Sequence, residues 1–277
     1  MILLVFKRAK FTFFPLVLFV IVFQGCINRV DRVTVEGHLC GIPKTYIYIN
    51  RFEGDSLAII DSLKTSFRGY FKIKLNVESP YFVTIGTEKS QVSILLLIQP
   101  GEKINIESDG ADLKDYKVYG SSGSSVLSDF SNRFNLIKTQ IDSINKEYQL
   151  NLNSPKIDSI QHRLDSIYQT IISNHHEFAA NFIKGNPFSL ASTLALFQSY
   201  DSIHPVFDYA KDRKLFRQTD SSLLSVYSSN RMVKAFHKKL LKLDSLYTLR
   251  HKREMMFKEG EILPNVGYPL LNNDYLL

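Results

Sequence analysis

The pattern of apolar and polar positions changes period once along this chain. Between residues 32 and 119 apolar positions recur at every second residue, the period of a half-buried strand. Val33, Val35 and Leu39 share one parity, and Ile47 and Ile49 lie opposite Tyr46, Tyr48 and Asn50. Leu57 to Ile60 forms a short run, and Phe71, Ile73 and Leu75 alternate with Lys72 and Lys74. Tyr81 to Ile85 follows Pro80, whereas Val92 to Ile98 is apolar at every position but Ser93, as in a strand buried on both faces. After the Pro100-Gly101 turn, Lys103 to Glu107 alternates again, and Tyr116 to Tyr119 closes the series. Eight short strands, separated by Gly, Pro, Asn and Asp at about ten-residue spacing, predict an antiparallel β-sandwich or barrel-like domain over 32–119.

From Val126 onward the spacing becomes helical. Phe130, Phe134, Ile137, Ile141, Ile144 and Tyr148 are spaced by fours and threes. Asn153-Ser154-Pro155 breaks the run, and Ile157, Ile160, Leu164, Ile167, Ile171, His175, Phe178 and Phe182 resume it. Two helices with a short break between them predict an antiparallel hairpin. Gly185 ends the second helix, and Asn186-Pro187 opens a third over Phe188 to Tyr200, apolar nearly all round and so expected at the centre of the helical part. His204-Pro205 is read as the start of another, and Val233, Phe236, Leu240, Leu243 and Tyr247 mark a last long helix. Gly120-Ser121-Ser122-Gly123-Ser124-Ser125 reads as the linker between the halves, because it lacks the Lys and Ser/Thr that a phosphate-cradling loop needs. The fold class is therefore α+β: an N-terminal antiparallel β domain over 32–119, a linker at 120–125 and an all-helical segment over 126–258.

The first 25 residues read as a leader. Lys7, Arg8 and Lys10 precede a mostly apolar stretch from Phe11 to Phe23, and Gln24-Gly25-Cys26 follows. A basic start, a short apolar run and a small residue form a secretory signal. The run is shorter than the roughly 20 residues that span a bilayer. A cysteine directly after the small residue marks Cys26 as the lipidation site, with 26–31 as the lipidated tether. A diacylglycerol plus an acyl amide holds a protein stably on a membrane. Cleaved or retained as an anchor, the leader puts residues 27–277 outside the cytoplasm. The acid-free stretch Ile27-Asn28-Arg29 favours a periplasm-facing anchor over display on the cell surface, and the outer membrane is the expected site rather than the inner.

Charge and chemistry narrow the function further. Outside the leader, 31 basic residues face 27 acidic ones, a net +4 that is too mild for a nucleic-acid partner. Cys40 is left without a partner in the chain if Cys26 carries lipid, and it is read as a small buried apolar residue, the alternative being a reactive thiol or an intermolecular disulfide. No CxxC occurs, so the chain cannot run a dithiol cycle alone. Apolar-Asp-Ser-apolar recurs at Ile141–Ile144, Ile157–Ile160, Leu164–Ile167, Tyr200–Ile203 and Leu243–Leu246. On a helix the apolar pair fills the seam and Asp-Ser falls toward solvent, so these aspartates are read as a solvated edge rather than metal ligands. His175-His176-Glu177 is the tightest ligand-like cluster, but adjacent helical residues point about 100° apart. The last helix crowds Lys234, His237, Lys238, Lys239, Lys242, Arg250, His251, Lys252 and Arg253, either a solvated face or a contact with anionic headgroups or an acidic partner. No catalytic, cofactor-binding or metal residues are assigned, and no cofactor is expected.

Four segments in order resemble one family. VTVEGHL, IIDSLKTSFRGYFKIKL, ILLLIQPGEKINIE and YKVYGSSGS are similar to a domain of unknown function (DUF4369-like) at the front of secreted lipoproteins of Gram-negative bacteria. Members of that family often continue through helices into a thioredoxin-like thiol–disulfide oxidoreductase domain. Gly260 to Val266 resembles the lead-in to such a domain, and the extended tail 259–277 then stops at Leu277 without its CxxC or cis-proline. The resemblance implies a short member or a truncated gene product, and no catalytic residue of the family has a counterpart here. The expected function is a lipid-anchored envelope accessory protein without catalysis of its own. The alternative is the non-catalytic front half of an envelope thiol–disulfide oxidoreductase, with a thioredoxin-like chain as its partner.

Overall fold

The computed structural model describes residues 31–53, 56–88, 93–110, 113 and 115–258, with side chains as far as Arg253. The leader, Cys26 and the tail from 259 lie outside the described residues. All eight strands form: β1 (Arg32–Leu39), β2 (Tyr46–Glu53), β3 (Ser56–Lys64), β4 (Tyr70–Asn76), β5 (Tyr81–Thr87), β6 (Ile94–Ile98), β7 (Lys103–Ser108) and β8 (Tyr116–Tyr119). They build two four-stranded sheets, ordered β4-β1-β7-β8 and β3-β2-β5-β6. The inward parities of both sheets meet in one apolar cluster, with Val33, Val35, Phe71, Ile73, Ile104 and Ile106 facing Ile47, Ile49, Val83, Ile85, Leu96 and Ile98. The two sheets stay separate, so the barrel alternative does not hold. Pairing is antiparallel except between β1 and β7, which run parallel with Gly37 opposite Ile106. That pair corrects the all-antiparallel expectation. The chain crosses to the second sheet for β2 and β3, returns as β4, crosses again for β5 and β6, and comes back as β7 beside β1 in the same direction.

Gly37 explains why a glycine stands in the opening strand. A Cβ there would lie 2.3 Å from the Ile106 carbonyl oxygen of the parallel neighbour. Cys40 follows Leu39 at the end of β1 and takes the opposite parity, so its thiol is exposed. The expectation of a buried Cys40 is thereby corrected: Val33, Val35, Gly37 and Leu39 already fill the inward positions.

The helices are α1 (Ser122–Leu150), α2 (Ile157–Gly185), α3 (Ala191–Leu196), α4 (Tyr209–Tyr227) and α5 (Arg231–Lys258). α1 begins inside the run expected to be a linker. Ser121 is its N-cap, its side chain accepting from the Ser124 N–H at 3.1 Å. The serines serve a second purpose. β6 is an edge strand, and its backbone groups at Leu97 need partners. The Ser124 hydroxyl donates to the Leu97 carbonyl at 2.8 Å and accepts from the Leu97 N–H at 3.1 Å. One stretch thus caps a helix and closes a sheet edge, fastening the two halves together. Strands and helices from Asp31 onward form one compact unit.

The helical cluster packs on the other face of the second sheet, taking in Phe82 and Leu97 with Leu127, Phe130, Ala179, Ile183, Leu196, Phe216 and Phe236. α1 and α2 are the expected antiparallel hairpin. Phe130 stacks on Phe182 with centroids 4.1 Å apart, and Glu147 pairs with Arg163 near the turn. The central third helix is shorter than expected. Residues 187–189 form a turn in which Ser189 N–H bonds the Asn186 carbonyl, and α3 starts only at Ala191. Its core role holds, since Leu190, Ala191, Ala195 and Leu196 are buried. His204-Pro205 starts no helix. Pro205 bridges back to Ser199, and Asp208 caps α4 by accepting from Ala210 and Lys211. A carboxylate that satisfies two free N–H groups is a stronger helix start than the preceding proline.

Candidate functional site

The residues singled out in the sequence do not converge. His175, His176 and Glu177 go three ways from one turn of α2. His175 is fully buried among Phe130, Phe134, Phe178 and Tyr200. His176 meets Asp212 of α4 at 3.1 Å, and Glu177 is exposed. The Nε2 of His175 lies 3.3 Å from the Gln198 side-chain oxygen, and its Nδ1 is buried without a partner. Burial lowers the pKa of this ring below its usual value, against the opposing bond to Gln198. A lowered histidine makes the unfolded chain bind the proton first. Stability contributed by the neutral ring is therefore complete above about pH 6.5 and declines as pH falls below it. Denaturation midpoints measured from pH 7.5 down to 5.5 should fall in the native chain. They should fall less in His175→Phe, which keeps an aromatic ring in the cage.

The densest polar arrangement joins α4 to α5. The Asp244 carboxylate accepts from Arg213 Nε at 2.8 Å, from Arg217 at 2.9 Å and from the Tyr209 hydroxyl. Burial pushes this carboxyl up, but the bonds from Tyr209, Arg217 and Arg213 outweigh it and hold its pKa at about 2. Arg213 also lies over the Tyr247 ring at 4.7 Å. Asp244 belongs to the fifth Asp-Ser repeat, expected on a solvated edge. It is turned inward instead, because α4 places two guanidinium groups opposite it. Asp201, in the fourth repeat, lies in a turn and accepts from the Ile203 and His204 N–H groups. Asp142, Asp158 and Asp165 are exposed, as that reading had it.

About two turns before Asp244 on α5, His237 Nδ1 meets Asp220 Oδ2 at 2.8 Å. Asp220 is buried, and its Oδ1 has no partner. A carboxylate behind an imidazole fixes the orientation of the ring. Among the described residues, no hydroxyl or thiol bonds to His237. This pair was not legible in the sequence, where the two residues stand 17 apart without a motif.

Between the end of α2 and α4 runs an open groove of about 790 Å3, lined by Lys184, Arg213, Lys214, Arg217, Gln218, Ser221 and Ser222 around Ile183 and Pro187. Its charged lining is cationic throughout, and two of its guanidinium groups are committed to Asp244. A smaller hollow of about 260 Å3 lies where Pro80, Leu97 and Gln99 of the strand half meet Pro187, Leu190 and Tyr227. Of the basic run on α5, Lys234, Lys238 and Lys242 are exposed, while Lys239 folds over the Phe197 ring at 3.9 Å. Among the described residues, no group of three His, Cys, Asp or Glu side chains is placed to hold a metal ion, and no helix is long and apolar enough to cross a membrane. Comparison of the chain with protein families, with curated proteins and with solved structures gives no match.

Proposed function

We propose that the chain is a lipid-anchored accessory protein of the cell envelope, held through Cys26 and working by contact with a partner rather than by chemistry of its own. The observation that carries this reading is where the folded unit begins. A basic and apolar leader ends at Gly25-Cys26, and the compact unit starts at Asp31 with β1 at Arg32. The five steps from Cys26 to Asp31 reach at most about 18 Å when fully extended. A lipid on Cys26 therefore keeps the folded unit against the membrane surface, periplasm-facing and on the outer membrane in this reading. The α4–α5 face and the cationic groove are surfaces on which a partner would find charge.

The four-segment resemblance supports a second reading, the front half of an envelope thiol–disulfide oxidoreductase that works with a thioredoxin-like chain. Capture of such a chain from envelope extract supports it over the first. The anchor itself is tested by feeding an alkyne fatty acid to cells making the full-length chain. Label is expected on the native protein and absent from Cys26→Ala. A mature chain that is free of lipid and retained inside the cell would overturn both readings.

A further inference from the structure

The positive charge of this chain is concentrated on one helix. From Arg231 to Arg253, α5 holds eight Lys and Arg residues and a single carboxylate, an excess equal to the +7 of the whole chain. The remainder of the sequence is balanced. The one carboxylate, Asp244, is neutralised by Arg213 and Arg217 of α4. Arg231, Lys234, Lys238 and Lys242 are exposed. At about 100° per residue they fall within an arc of about 80°, on the side away from the buried Val233, Phe236 and Leu240. Leu241 and Leu249, 53% and 61% exposed, lie on or beside the same arc. A band of lysines flanked by bare leucines is the composition of a helix that lies in a headgroup layer. A nucleic acid or an acidic protein would use the charge and leave the leucines without a role.

The position of the band adds a second, independent argument. Asn230, at the head of α5, donates to the Pro80 carbonyl at 2.7 Å and to the Ser79 hydroxyl at 2.8 Å. Three residues earlier, the Val77 N–H bonds the Asp31 carbonyl, the first residue of the folded unit. Three residues of chain cover at most about 11 Å. The exit toward Cys26 and the start of the basic band therefore lie at the same end of the molecule.

We infer that the exposed face of α5 docks on the anionic headgroups of the bilayer that holds the Cys26 lipid, an inference that rests on the anchored reading above. The lipid brings the face to the surface, and the lysines and leucines fix which side of the protein lies down. Each basic side chain near an anionic surface multiplies the partition by roughly fivefold.

The test uses the unlipidated chain from Ile27, since the compact unit begins at Asp31. It is sedimented with vesicles of phosphatidylcholine, alone or mixed with phosphatidylglycerol. Binding is expected to the mixed vesicles only and to weaken with salt. Lys234→Gln/Lys238→Gln/Lys242→Gln should weaken it roughly 100-fold. Lys74→Gln/Lys117→Gln/Lys138→Gln, which remove the same charge from other exposed positions, should leave it unchanged. Equal binding by the two triple variants overturns the docking face. So does a native chain that ignores the mixed vesicles while retaining a single-stranded oligonucleotide at the same salt. Fatty-acid labelling of Cys26 is scored separately. A labelled protein that ignores mixed vesicles defeats the docking face alone, whereas vesicle binding by a chain that cells never acylate defeats the anchor alone.

Discussion

Phe130→Ala is expected to cost about 3–5 kcal/mol of folding stability, read as a lower urea midpoint at unchanged slope. Phe130 is 2% exposed and lies where α1 crosses α2. Its ring stacks on Phe182 at 4.1 Å and on Phe178 at 5.8 Å, with His175 at 6.3 Å. Truncation removes the transfer energy of a whole ring and leaves a cavity whose walls are themselves rings on a stiff helix. Such walls collapse poorly, which puts the cost at the upper end for a core truncation. Phe130→Leu fills most of the space and should lose less than half as much. The difference between the two variants reads the cavity cost directly. The strand half keeps its own core under both, so a loss confined to near-ultraviolet signals of the helical aromatics would fit the same account.

The second large effect is expected at a residue with no side chain. Gly37→Ala should cost about 2–3 kcal/mol, read as a lower thermal midpoint. The new Cβ would meet the Ile106 carbonyl oxygen at 2.3 Å and the Ile106 Cβ at 3.0 Å. The first is backbone in a strand held on both sides, since β7 lies between β1 and β8. Neither atom can swing away as the end of a long side chain would, so two strands must separate or the pairing must bend. Gly185→Ala supplies the contrast: nothing lies within 4 Å of a Cβ there, and Gly185 sits in the last turn of α2. Alanine at that place should be neutral or slightly stabilising, because it narrows the unfolded ensemble. Opposite signs at two glycines would show that close approach, not glycine as such, sets the cost.

Both predictions concern the scaffold that orients the proposed membrane face. Asn230 joins the head of α5 to the strand half, and Asp244 locks α5 to α4. Loosening either core would let the basic band turn relative to the exit toward Cys26. Vesicle binding of Phe130→Ala should therefore weaken once the helical half begins to open, well below the concentration of urea that first affects the native chain's binding.

What the sequence determined by itself is the kind and order of the elements. Burial of one face leaves a periodic trace, so Phe71, Ile73 and Leu75 announce a strand and Phe130, Phe134, Ile137 and Ile141 announce a helix before any contact is known. The same trace located the hairpin break at Asn153-Ser154-Pro155 and the end of α2 at Gly185. The tertiary structure alone decided which elements meet. The parallel pairing of β1 with β7, the hydroxyl of Ser124 on the edge of β6, the Asp220–His237 pair and the inward turn of Asp244 all join residues far apart in the chain. Such pairings depend on a partner's position rather than on a period, and one sequence carries no record of it. Cys40 shows the boundary between the two: its parity opposite Leu39 was in the sequence. Its exposure needed the sheet that packs one side of β1 and leaves the other to water.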